Sequence, residues 1–100
     1  MQTSPLVQKT TELALKIIAI TDKLRENYRN YALADQLLRS GTSVGANVRE
    51  ANGAQSRRDF IGKLSISFKE ANETEYWLLL LHKSQKITKT EYSQAMDSLL

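Results

Sequence analysis

The chain contains no cysteine, one histidine, one tryptophan and one proline among 100 residues. Without cysteine there is no disulfide framework, no thiolate metal site and no sulfur nucleophile, and the composition is compatible with a reducing cytoplasm, the expected location. His82 has neither a cysteine nor a second histidine to share an ion with, so no metal and no cofactor are expected. Apolar residues nowhere run together for the ~18 positions a membrane-spanning helix needs. The opening Met1-Gln-Thr-Ser-Pro5 lacks the charged start and apolar run of a signal peptide. Neither export nor a membrane partner is therefore expected. No segment alternates apolar and polar residues over a strand's length, and the expectation is all-helical.

What is present fits one modest core. Hydrophobic residues make up 41% and charged residues 25% of the chain, too little for a two-domain enzyme, so residues 1–100 read as a single domain. The net charge of +3 gives mild attraction to anions, well short of a dedicated nucleic-acid arm. A symmetric oligomer would multiply such a patch by its number of subunits.

Four helices can be traced. Ser4 followed by Pro5 opens the first, which runs to about Asn27 with a core stripe of Leu6, Leu13, Ile17, Ile20, Leu24 and Tyr28. A second is expected from Tyr31 to Asn52, with Gly53 at its end. Gly41 and Gly45 each cost this helix roughly 1 kcal/mol relative to alanine, a loss that close backbone approach would repay. Ser56 and Asp59 resemble a capping box with the shorter acid and open a third helix that runs to about Ser84. Its apolar positions Phe60, Ile61, Leu64, Phe68, Ala71, Leu78 and Leu79 recur at helical spacing. Thr88 and Glu91 form a second capping box and open a fourth helix, with Tyr92, Ala95 or Met96, and Leu99 facing inward. This helix is less than half as long as the third, so either the bundle is ragged at one end, another subunit covers the gap, or the natural chain continues beyond Leu100.

Polar and small residues stand where a core normally takes large apolar ones. Leu37, Gly41, Val44, Val48 and Ala51 share a face of the second helix with Ser40 and Asn47 at its edge, and Glu75 falls within the apolar face of the third. The spacing predicts a buried Glu75 satisfied by Ser40, Ser43, Asn47 and Arg39, a packing device rather than a catalytic acid. Glu50 and Glu73 read as solvent-facing or interfacial. The third helix also carries a second apolar stripe: Ile66, Trp77 and Leu80 lie roughly opposite Leu64, Phe68 and Leu78, with Leu81 to one side. A bundle helix needs only one such face, so these four residues are the expected oligomer interface.

The run Leu38-Arg-Ser-Gly-Thr-Ser-Val-Gly-Ala-Asn-Val-Arg-Glu-Ala-Asn-Gly53, followed by Asp59-Phe-Ile-Gly-Lys-Leu64 and Glu73-Thr-Glu-Tyr-Trp-Leu78, resembles the four-helix-bundle proteins encoded in intervening sequences of bacterial 23S ribosomal RNA genes. The accessory variability protein of diversity-generating retroelements is a relative with the same bundle. The resemblance implies an antiparallel up-down-up-down four-helix bundle that assembles with itself as a ring, commonly a homopentamer. It also implies nucleic-acid binding, shown or suspected for some relatives, and no established catalysis for most. Relatives usually extend the fourth helix further, so here it is expected to be short or truncated.

The basic residues offer candidates for such binding. Lys9, Lys16 and Lys23 repeat at seven-residue intervals beside the core stripe of the first helix, and Arg57, Arg58 and Lys63 cluster at the start of the third. A solvated boundary is the commoner meaning of such stripes. Two arginines at a helix N-terminus, however, oppose the helix dipole and suit a phosphate partner. Gly41-Thr-Ser-Val-Gly45 lacks the Gly-Lys-Ser/Thr ending of a phosphate loop, and no serine pairs with a histidine and an acid at an identifiable spacing. The expected protein is a non-enzymatic homo-oligomer that binds RNA or DNA and takes no small-molecule substrate. The competing class is a protein-interaction scaffold, and an enzyme built on Glu75 and Glu73 ranks third.

Overall fold

A computed structural model describes residues 4–99. Four helices follow one another: α1 (Pro5–Asn27), α2 (Tyr31–Asn52), α3 (Arg57–Lys83) and α4 (Lys89–Leu99). Each helix start is fixed by a local hydrogen bond. The Val7 N–H donates to Ser4 Oγ (3.1 Å), the Leu33 N–H to Asn30 Oδ1 (3.4 Å) and the Asp59 N–H to Ser56 Oγ (3.0 Å). At α4 the box is reciprocal: the Glu91 N–H donates to Thr88 Oγ1 (3.0 Å) and the Thr88 N–H to Glu91 Oε1 (2.8 Å). Asp59, one methylene shorter than Glu, makes no such return bond. Helix α3 ends in a 6→1 closure from the Lys86 N–H to the Leu81 carbonyl (2.9 Å), with Gln85 in the left-handed region at φ 62°.

The helices form a closed ring of neighbours in which α1 packs on α2, α2 on α3, α3 on α4, and α4 returns to α1, with no backbone contact across the diagonals. The result is an all-α bundle measuring 44 × 23 × 19 Å. Its core is built from Leu13, Ile17, Ile20 and Leu24 of α1, Ala34, Leu37 and Val44 of α2, Leu78 and Leu81 of α3, Ile87, and Ala95 of α4. Helix α4 is the short wall. Its 11 residues span about 16 Å against about 40 Å for the 27 residues of α3.

The glycines of α2 set the closeness of the α1–α2 seam. A Cβ on Gly41 would lie 2.8 Å from both Cγ1 and Cγ2 of the fully buried Ile17, and one on Gly45 would lie 3.1 Å from Thr10 Oγ1. The backbone entropy lost at these two positions is the condition for that approach.

Several expected core positions prove to be outside. Leu6 and Tyr28 of α1 are exposed, as are Phe60, Ile61, Phe68 and Leu79 of α3, whose buried line is instead Ser67, Thr74, Leu78 and Leu81. Large apolar residues dominate a periodicity count, yet against the small face of α2 only small side chains fit. Helix α3 is therefore rotated to put Ser67 and Thr74 inward, and its bulkier residues face the side where α4 is short.

Candidate nucleic-acid and subunit interfaces

The polar residues of the α2–α3 seam are resolved without a buried charge. Ser40 and Thr74 are fully buried, with their hydroxyl oxygens 2.9 Å apart. One hydroxyl donates to the other, and the second finds a helix carbonyl, Glu70 O at 2.8 Å or Leu37 O at 3.4 Å. Ser67 Oγ donates across the seam to the Val44 carbonyl (2.8 Å). These hydroxyls, rather than a carboxylate, hold the register of the two helices.

Glu75 is exposed and takes no part in this network. Its intended partners are occupied elsewhere: Ser43 Oγ donates to the Arg39 carbonyl (2.6 Å), and Asn47 Nδ2 to the Ser43 carbonyl (2.8 Å), both within α2. Arg39 reaches across to α3 but to different acids, Glu70 (2.8 Å) and Glu73. One residue of helix is about 100° of rotation, so moving the core line from position 75 to position 74 carries the carboxylate out to solvent.

Glu73 also accepts a hydrogen bond from Trp77 Nε1 (3.1 Å), so one carboxylate joins Arg39 of α2 to the indole of α3. Trp77 is half-buried against the core, and its ring meets that of Tyr76 with centroids 5.4 Å apart. Of the four candidate interface residues, Leu81 is fully buried and belongs to the core, since it shares the inward line with Thr74 and Leu78. Ile66 is 44% exposed, Leu80 partly so, and Tyr76, overlooked in the sequence, is 54% exposed beside them. An apolar band of Ile66, Tyr76, Trp77 and Leu80 therefore remains on the outer side of α3.

Two lysines of the α1 stripe make bonds within the bundle. Lys23 Nζ pairs with Glu91 (2.8 Å), and Lys16 Nζ donates to Ser98 Oγ (2.7 Å) and to the Gln94 carbonyl (3.2 Å). Both lysines thus bind α4. Lys9, one interval further on, makes no ion pair among the described residues. Lys63 lies 3.6 Å from Glu50. The antiparallel path brings the start of α1, the end of α2 and the start of α3 to one end of the bundle, so Lys9, Arg49, Arg57, Arg58 and Lys63 gather there. Arg49, Arg57 and Arg58 are exposed, with no acidic partner among the described residues.

Burial alone would raise the Glu91 carboxyl, but hydrogen bonds from Lys23 and Thr88, together with the Lys23 charge, outweigh it and hold the group below its ordinary 4.5. His82 lies flat on Tyr92, with ring centroids 4.4 Å apart and planes 9° from parallel. It sits at the core edge, where its buried Nδ1 has no hydrogen-bond partner among the described residues, so it is held by stacking rather than satisfied by a polar neighbour. Among the described residues no three side chains of His, Asp or Glu converge as metal ligands, and no helix is long and apolar enough to cross a membrane.

Curated proteins provide no match to the chain. A solved structure does: a protein of unknown function from the S23 ribosomal protein family of Bacteroides thetaiotaomicron VPI-5482 is 46% identical and superposes with a TM-score of 0.91, over 94% of this chain and 87% of that one. The model of the 23S rRNA-intervening sequence proteins matches residues 2–99. A closed four-helix ring with a glycine-dependent α1–α2 seam, a hydroxyl-bonded α2–α3 seam and this match over nearly its whole length make the chain a member of the 23S rRNA-intervening sequence protein family.

Proposed function

We propose that the chain works in the cytoplasm as a non-enzymatic homo-oligomer, a ring of five in the pattern the family resemblance implies, that binds RNA or DNA through its basic end. The observation that carries this reading is the outer apolar band of α3. Ile66, Tyr76 and Leu80, with the outer edge of the half-buried Trp77, form a second hydrophobic face that the bundle leaves partly uncovered, and an aromatic patch of this kind on a small helical protein supports a subunit contact. Arg49, Arg57 and Arg58 then supply the phosphate-facing charge, repeated once per subunit.

Two measurements test this. Native mass spectrometry is expected to find an oligomer that Ile66→Asp with Leu80→Asp reduces to monomer; a monomeric parent chain would overturn the assembly. Binding to a structured RNA is expected to weaken steeply as salt rises and to be lost in the Arg49→Ala, Arg57→Ala, Arg58→Ala triple variant. The engagement of Lys16 and Lys23 by α4 leaves fewer free cations, which favours a protein-interaction scaffold as the second reading. No RNA or DNA binding at low salt, with the oligomer intact, would decide for the scaffold.

A further inference from the structure

The antiparallel path brings the α1–α2 and α3–α4 connections to one end of the bundle, and both are built from an uncommon choice of residue. Each passes through the left-handed region, at Arg29 (φ 51°) and at Gln85 (φ 62°), where glycine or asparagine is the ordinary occupant. A long polar side chain stands at both positions instead. Tyr28 and Tyr31 lie on either side of the Arg29 turn and are 48% and 54% exposed. Lys86, from the other connection, lies over the Tyr28 ring, 5.0 Å from its centroid, and ties the two connections together. Between them is a recess of about 150 Å³ lined by Asn27, Tyr28, Gln85, Lys86, Ile87 and Thr88. Arg29, Lys83, Lys86 and Lys89 make no ion pair among the described residues. Of the acids at this end, Asp35 is taken by Arg25 (2.6 Å) and Glu91 by Lys23 (2.8 Å), which leaves Asp22 and Glu26 on the last turns of α1. The balance is positive.

We infer that this end binds single-stranded nucleic acid, with an unpaired base stacked on Tyr28 or Tyr31 and the adjoining phosphates on Arg29, Lys83, Lys86 and Lys89. Exposed tyrosines among unpaired cations suit a strand whose bases are free to leave their own stack, since every base has a flat face for a ring while its phosphate meets a cation. A duplex keeps its base faces covered and offers such a surface little beyond its phosphates. Asn27 and Gln85, in the recess beside Tyr28, carry amides that can both donate to and accept from a base edge. The assignment extends the nucleic-acid reading to the end opposite Arg49, Arg57 and Arg58, and it uses different residues, so the two fail separately.

The test is made on the full chain carrying Arg49→Ala, Arg57→Ala and Arg58→Ala, which silences the other end. Fluorescence anisotropy follows its binding to labelled oligothymidine and oligouridine of about 12 nucleotides and to a DNA duplex of the same length. Both single strands are expected to bind more tightly than the duplex. Tyr28→Leu with Tyr31→Leu is expected to weaken single-strand binding about tenfold or more, whereas Tyr28→Phe with Tyr31→Phe, which keeps the flat faces, should stay within about twofold. Arg29→Gly suits the left-handed backbone and so preserves the turn, yet it is expected to weaken binding several-fold and to lower the salt slope by about one. Thermal melting follows the fold of each variant, and an unfolded leucine variant leaves Arg29→Gly as the deciding measurement. Single-strand binding that is absent at low salt in this background, or no tighter than duplex binding, overturns the proposal. So does displacement of the oligonucleotide by a polyglutamate peptide of equal charge, which would reduce the attraction to charge alone.

Discussion

The two halves of α3 are built from similar residues and meet opposite fates. Toward its C-terminus, Leu78 and Leu81 are fully buried, with α4 docked alongside by Lys16 and Lys23. Toward its N-terminus, Phe60, Ile61 and Phe68 recur at helical spacing and are as hydrophobic, yet they face solvent at or beyond the last described turn of α4. Burial is thus set by which neighbouring wall a residue's face meets, since Leu79 in the C-terminal half is also exposed, and apolar periodicity describes only what a helix offers.

The sharpest way to break this comparison is to truncate one large side chain in each half. Leu78→Ala is expected to cost about 2–5 kcal/mol in urea unfolding, through lost transfer energy and a residual cavity, whereas Phe68→Ala should cost less than about 1 kcal/mol. Similar losses at both positions would mean that the N-terminal half is covered after all.

Glycine substitutions give the next largest contrast. Gly41→Ala drives a methyl group into Ile17 and is expected to lose a net ~1–2 kcal/mol even after the gain in helix propensity. Gly62→Ala, in the uncovered half, meets nothing within 4 Å and should gain about 0.5–1 kcal/mol. Thermal melts that move the same way for both would remove the close-approach account of α2.

A smaller effect probes the seam. Thr74→Val keeps the volume and removes one hydroxyl from the buried pair with Ser40, for an expected loss of about 1 kcal/mol, while Glu75→Gln on the neighbouring exposed position should stay within about 0.5 kcal/mol of the parent.

The smallest effect is confined to α4. Because the folded Glu91 carboxyl lies below its unfolded value, its contribution is present above about pH 4.5 and is lost as the pH falls through the lower folded value. Amide exchange in α4 should therefore quicken relative to the Leu78 region below pH 4.5, and Glu91→Gln should flatten that difference. An α4 whose relative protection is independent of pH would rule out the capping box as the source.

These contrasts also show what could be read from the residues alone. Helix ends were legible because their signals are local: Ser4 with Pro5, Ser56, and Thr88 with Glu91 act within one turn, and each of these hydroxyls accepts its capping bond where the spacing predicts, only the return bond from Asp59 being absent. The close approach at Gly41 was legible for the same reason, since glycine mid-helix has few other uses. The faces of α3 were not. With apolar residues on more than one side, its rotation depends on the small surface of α2 and the reach of α4, and a hydroxyl such as that of Thr74 goes inward as readily as a large residue when a partner waits there. The error at Glu75 and the reassignment of Leu81 share this cause. The lysine stripe was legible only in part: a period of seven on α1 signals a helical neighbour as well as a nucleic acid, and the position of α4 supplies the first for Lys16 and Lys23.

The same stripe has a consequence for how the chain finds its final alignment. A helix that slides by one turn, about 5.4 Å, can bring new apolar residues into nearly equivalent places, so hydrophobic contact alone discriminates poorly between neighbouring alignments. Charges spaced by two turns do not share that tolerance. A one-turn slide of α4 would part Glu91 from Lys23 and Ser98 from Lys16 together, and the next alignment that matches the lysines lies about 10.5 Å away, a shift of nearly two-thirds of the length of the helix. Two lysines at the rim of the bundle can thereby proofread the docking of a helix too short to be held in place by its core residues alone.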